Sequence, residues 1–322
     1  MANLTESKSQ RSTASGLPQT ESEYAIDARC FIDSRFACVE PDPRNPGRSS
    51  IRAENCLFAA FGRELPPVGV PIIKILGEMQ AALLAACSEL KLGFPDEDSL
   101  QWAWDQWYEF MVAVALWNAN ANSLNRRPAC WLRLPGTSKL YFAQLLEPKA
   151  RERIAALERR LREQGAILAL PNPNLICLRA GPDHQLPAAV YKSIDAYSRE
   201  AYETVMQSYH SVLGACDYRE IRTCVGLKTF SRLDRHPWIP HEADILKSAF
   251  AYLHQQAEDR IPSTRYFAIT SFEPSKSDEY AYAAVACRSV LDETIPAERA
   301  VDGLLYLQNL SEIADQLPSI VA

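Results

Sequence analysis

The chain has 322 residues, 47% of them apolar and 23% charged, with a formal net charge of −6. This is the balance of a soluble globular protein with material for one large domain or two ordinary ones, and no apolar run is long enough to cross a bilayer. The acidic total weighs against a non-specific nucleic-acid coat, but not against a specific binder, which needs only a basic contact face.

Residues 1–22 are polar and rich in Ser, Thr and Gln, which predicts a disordered arm before one domain over 23–322. The opening MANLTESKSQRSTASG lacks the apolar core of a signal peptide, which points to a cytoplasmic protein. PDPRNPGRSS reads as a Pro-rich loop, and helices are expected over 51–63 and 71–91. Ser99 is a candidate N-cap for a long element over about 100–125, LQWAWDQWYEFMVAVALWNANANSLN, apolar nearly all round in its second half. Glu109 lies inside it, directly before FMVAVALW, so its carboxylate must be paired, protonated or bound to a cation. A salt bridge to an arginine is the plainest of these outcomes.

A charged amphipathic helix is expected over 148–164, ended by Gly165. After it, Pro171–Asn174 forms a kink before a short strand, Leu175–Arg179, and a helix follows over 194–213. The stretch 221–242, IRTCVGLKTFSRLDRHPWIPHE, carries the densest chemistry. Val225–Thr229 reads as a buried strand with Lys228 near its end, and Arg232, Asp234 and Arg235 follow in a turn-like segment. Pro237 and Pro240 punctuate, and His241–Glu242 open a helix to about 257. A strand over 265–272 and closing helices over 278–291 and 297–314 complete a mixed pattern: a small sheet of four to six strands flanked by helices. The nine cysteines form no CxxC pair, so buried free thiols are expected.

The polar residues set apart above are Glu109, Asn174, Lys228 and Glu242, with Arg232, Asp234 and Arg235 between the last two. In order and spacing they resemble the type II restriction endonucleases that cut sites with a central CCGG, the NgoMIV/SgrAI-like group of PD-(D/E)xK nucleases. The resemblance runs from about residue 50 onward. It rests on Glu109 with Trp117-Asn118 in the long helix, and on Lys228 with Glu242 fourteen positions later. It rests also on the Arg232-Leu-Asp234-Arg235 segment, and on Gly226 where the usual ExK motif has its carboxylate. One position departs: the turn reads Pro173-Asn174, where the group has Pro-Asp.

The resemblance implies an α/β (α+β) restriction-endonuclease-like core and Mg²⁺-dependent hydrolysis of double-stranded DNA to 5′-phosphate ends. It implies position 174, Glu242 and Glu109 as metal ligands, Lys228 at the scissile phosphate, and Arg232, Asp234 and Arg235 as readers of the central bases. Reading a palindrome with one reader per half-site implies a homodimer, within a tetramer or higher assembly in some members. Asparagine at 174 adds no charge toward a hard dication, so the chain is expected to bind its site but to cut it slowly or not at all, as an inactivated variant, a natural homologue that binds without efficient cutting, or a weak enzyme. Asp183, past the strand in a Pro-rich loop, is a weak substitute. A binder that no longer cuts is the alternative. A helical interaction protein with ordinary salt bridges at these positions is the reading from a different class. The bases flanking CCGG would be met from the 30–50 loop, Asn118–Arg127 or the C-terminal helices.

Overall fold

A computed structural model describes residues 24–33, 35–122, 129–135, 142–179, 188–229, 238–255, 264–287 and 297–321. The expected N-terminal arm lies outside them, as do Asp183 and the Arg232–Arg235 segment. A short helix, α1 (Arg29–Ile32), leads into a hairpin of β1 (Val39–Asp42) and β2 (Asn45–Ile51). The Pro-rich segment expected to be a loop is therefore largely paired, with Pro41 and Pro46 in a two-stranded ribbon that tolerates a missing donor and Pro43 in its turn. Helices α2 (Ala53–Phe61) and α3 (Ile72–Glu89) follow.

The long buried element is α4 (Glu97–Ala121). Its N-cap is Asp96, whose side chain accepts from Ser99 N at 2.8 Å, so Ser99 is the recipient of the cap and not the cap itself. Glu97 and Asp98 complement the positive end of the helix dipole. From Trp107 to Val114 every side chain is buried, as a helix without a polar face requires.

The main sheet has five strands in the order β3 (Ala129–Arg133), β4 (Leu175–Arg179), β5 (Ile221–Lys228), β6 (Arg265–Thr270) and β7 (Gly303–Tyr306). The first two pairings are antiparallel and the last two parallel, which makes a mixed sheet. Between the strands lie α5 (Pro148–Glu163), α6 (Arg199–Ser211), α7 (Trp238–Gln255) and α8 (Lys276–Tyr282), and α9 (Glu312–Val321) closes the chain. Gly165, at φ 79°, ends α5 in the left-handed region that glycine enters without strain.

Alternation along β5 assigns its two faces. Thr223 donates to Ile320 O of α9, and Thr229 donates to Asp105 of α4, so odd positions face those helices. A side chain on Gly226 would meet Ile239 of α7, so Gly226 and Lys228 face α7. Two expectations fail at the C-terminus. The 297–314 segment contributes the strand β7 and only the start of α9, and the helix expected over 278–291 is described as α8, ending at Tyr282. The thiols follow expectation: all nine are free, and only Cys30 and Cys287 are not buried. Among the described residues no helix is long and apolar enough to cross a membrane.

Candidate active site

Asn174 stands at the mouth of β4, where Leu134 N donates to its backbone oxygen at 3.0 Å and prolongs the β3–β4 ladder. Its side chain joins the sheet to α4. The Oδ1 accepts from Leu227 N at 2.8 Å, and the Nδ2 donates to Glu109 Oε2 at 2.6 Å. The backbone N–H can only donate, so it fixes which end of the amide is oxygen and turns the NH₂ toward the carboxylate.

Glu109 is buried, and its other oxygen accepts from Arg133 Nε at 2.6 Å. Arg133 reaches it because cross-strand partners share a face: Arg133 pairs with Leu175 and Leu175 with Val225, all toward α4. The guanidinium also donates to Gln106 Oε1 at 2.7 Å and lies 5.8 Å from the Tyr202 ring centre. Burial works against its charge, but the Glu109 carboxylate, helped by Tyr202, outweighs this and holds Arg133 above its ordinary pKa. Both oxygens of Glu109 are thus engaged by protein donors.

The other half of the site faces α7. Glu242, on the first turns of α7, accepts from Trp238 Nε1 and, at 3.3 Å, from the Tyr266 hydroxyl. Burial pushes its carboxyl up. The Lys228 charge and the two donors pull it back without cancelling the rise, so it stays above the ordinary 4.5. With the folded value above the unfolded one, the group's contribution to stability is present below the unfolded value and lost as pH climbs through the folded one. Tyr266→Phe removes a donor to the ionised form. It is expected to move the Glu242 titration midpoint further up, followed through the carboxyl carbon shift across a pH series. An unchanged or lower midpoint would show that the hydroxyl does not serve this carboxylate.

Gly226 has a steric reason. A Cβ there would lie 2.9 Å from Tyr266 Oη and 3.3 Å from Ile239 Cδ1. The hydroxyl that holds Glu242 fills the space a strand carboxylate at 226 would need. Gly226→Ala is expected to cost about 1–3 kcal/mol by overpacking, read from denaturant midpoints. A cost near zero would mean that the Tyr266 hydroxyl and Ile239 yield without loss.

The structure therefore brings Glu109 and Asn174 into direct contact and sets Lys228 one residue beyond the N–H that Asn174 holds. Glu242 lies within electrostatic reach of Lys228. Asp105, one turn before Glu109, accepts from the Thr229 hydroxyl and so ties α4 to the end of β5 beside Lys228. Arg133, Tyr266 and Trp238 do not stand out in the sequence, although an arginine inside the apolar run CWLRL is a usable sign of a buried carboxylate partner. The Trp117-Asn118 pair proves to be a clamp. Trp117 Nε1 donates to Lys192 O at 2.9 Å, and both polar groups of Asn118 bond the Ile194 backbone at 2.8 Å, so this pair fastens α4 to the segment after Lys192.

Among the described residues no cluster of three or more His, Cys, Asp or Glu side chains is placed to hold a metal ion. The Asn174–Glu109 limb does not fit a divalent cation as it stands. It offers an amide nitrogen, a donor, beside a carboxylate already matched by Arg133, whereas Mg²⁺ needs oxygen ligands at close range.

The mixed five-stranded sheet, with polar groups gathered at the ends of β4 and β5 beside α4 and α7, matches the restriction-endonuclease fold. A family model described as Cfr10I/Bse634I restriction endonuclease matches residues 38–322, and the chain belongs to that family, whose members cleave DNA at specific sites. Among solved structures, the chain resembles that of the Type IIF restriction endonuclease Bse634I with cognate DNA, at a TM-score of 0.82 and 24% identity, over 88% of this chain and 98% of that one. A second Bse634I structure gives a TM-score of 0.79 and 24% identity over 88% and 97%. No curated protein matches the sequence significantly.

Proposed function

We propose that this chain recognises a duplex palindrome with a central CCGG as a homodimer, alone or within a tetramer or larger assembly, and that its Mg²⁺-dependent cleavage to 5′-phosphate ends is slow or absent because residue 174 is asparagine. The observation that carries the second part is the 2.6 Å contact from Asn174 Nδ2 to Glu109 Oε2, which fills the gap between the two side chains with a protein donor. In a centre with aspartate at 174, a bound Mg²⁺ would offset phosphate charge and activate a water.

This chain's own residues would act as follows. Lys228 contacts the scissile phosphate and orients the attacking water or takes part in its deprotonation. Glu242, held by Trp238 and Tyr266, presents a carboxylate beside it. Arg232 and Arg235 suit guanine O6 and N7, and Asp234 suits cytosine N4, in the major groove. The related Bse634I, solved with its cognate DNA, supports a duplex as the partner.

Gel shifts on CCGG-centred and scrambled duplexes, followed by Mg²⁺ cleavage of whichever is retained, test both parts. Retention of the CCGG duplex with little cleavage is expected. No preference for CCGG ends the recognition reading, and cleavage at an ordinary rate ends the reading of Asn174. Arg235→Ala is expected to cost about 1–3 kcal/mol in specific binding with non-specific binding nearly intact. If Arg232→Ala and Arg235→Ala both keep full preference for CCGG, the reader lies elsewhere.

A further inference from the structure

The misfit between the Asn174–Glu109 limb and a divalent cation has a second side. The carboxylates that a nuclease centre gathers repel the phosphate they act on, and like charges brought together across an interface weaken association. In this chain that repulsion is already answered by protein groups. Glu109 is matched by Arg133 at 2.6 Å, and its second oxygen by the Asn174 amide at 2.6 Å. Glu242 lies within electrostatic reach of Lys228, whose charge offsets part of what burial costs the carboxylate. Asn174 adds no charge, so Glu109 and Glu242 each have a cation within reach before any ion binds.

Arg133 cannot readily swing away to free Glu109. It is 5% exposed, its Nη2 donates to Gln106 at 2.7 Å, and its guanidinium lies about 6 Å from the rings of both Phe110 and Tyr202. With aspartate at 174 the same geometry would set two carboxylate oxygens where a donor and an acceptor now meet. Only a shared proton or a cation bridges such a pair.

We infer that Arg133 and the Asn174 amide form a built-in counter-ion in the place of a divalent cation, so that this chain holds its duplex without one. The inference rests on the reading of the chain as a binder of CCGG-centred DNA, and it deepens that reading by making recognition independent of divalent ions.

The test compares the full-length chain with Asn174→Asp, each in EDTA and in Ca²⁺. Calcium is used because it occupies oxygen sites while typically leaving such a duplex uncut. Binding of a CCGG-centred duplex by the unaltered chain is expected to differ by less than about threefold between the two buffers. Asn174→Asp is expected to bind at least about tenfold more weakly in EDTA and to recover in Ca²⁺. A thermal melt without DNA gives the second arm. Asn174→Asp should melt about 2–4 °C lower or more in EDTA and regain this with Ca²⁺, while the unaltered chain does not respond. This arm holds even for a variant too unstable to bind DNA in EDTA. Equal dependence of the two proteins on Ca²⁺, in binding or in melting, overturns the inference and leaves the recognition reading standing. Failure of both proteins to retain any CCGG-centred duplex in either buffer, with the melting pattern as expected, removes the recognition reading and leaves the counter-ion.

Discussion

Asn174→Asp is expected to raise Mg²⁺-dependent cleavage of a CCGG-centred duplex by on the order of a hundredfold or more. Asparagine and aspartate are nearly the same size, so the turn before β4 and the Leu227 N–H bond to Oδ1 survive the exchange. What changes is one formal charge at about 2 Å from a bound Mg²⁺. In a partly dehydrated site that is worth several kcal/mol, and roughly 4 kcal/mol is about a thousandfold in rate. The contact with Glu109 doubles the consequence. The amide NH₂ now satisfies Glu109 Oε2 at 2.6 Å, whereas a carboxylate there would leave two acceptors face to face. The substitution thus supplies a ligand and at the same time creates the need for a cation. Single-turnover cleavage on fresh protein checks it, with mass measurement to exclude slow deamidation of Asn174 to the same product. If Asn174→Asp changes nothing, or if the unaltered chain already cuts at an ordinary rate, position 174 is not a ligand.

How much of this is legible in the sequence depends on how local each feature is. Leu175–Arg179 is legible with its observed bounds, because a short apolar run set off by PNPN has few other outcomes. The helices α3 and α5 are also close to expectation, since their periodicity is long and strong. The strand β3 escapes: ACWLR is five residues and its burial is complete on both faces, so it shows no alternation. The strand β7 reads as helix, because GLLY carries no strand pattern of its own and is defined by pairing to β6.

The same division runs through the site. Glu109 in an apolar helix declares that it needs a partner, but not which one. Arg133 is 24 positions away on a different kind of element, and only the β3–β4–β5 register turns it toward α4. In the sequence, Gly226 is the absence of a carboxylate. In three dimensions it is the room made for the Tyr266 hydroxyl, which itself serves the carboxylate on α7.

Arg133→Met is expected to destabilise the fold by about 3–5 kcal/mol, because it leaves the Glu109 carboxylate buried without its cation. Both side chains of the pair are nearly sealed, at 6% and 9% exposure, so solvent screening offers little relief. Methionine fills much of the arginine volume and packs against Phe110 and Tyr202, so lost packing is the smaller part of the cost. The proof lies in the pair. In the Arg133→Met, Glu109→Gln double variant, the buried charge is gone from both sides, and the new side-chain amide at position 109 still offers an oxygen to the Asn174 NH₂. Most of the loss should then return, since replacing both partners of a buried ion pair is far cheaper than removing one. Denaturant unfolding of the single and double variants at neutral pH measures this directly. A loss below about 1 kcal/mol in Arg133→Met is the size of an exposed ion pair, and it would mean that Glu109 does not depend on Arg133. A double variant no better than the single would place the cost in packing, and Glu109 would again be open to a second ligand.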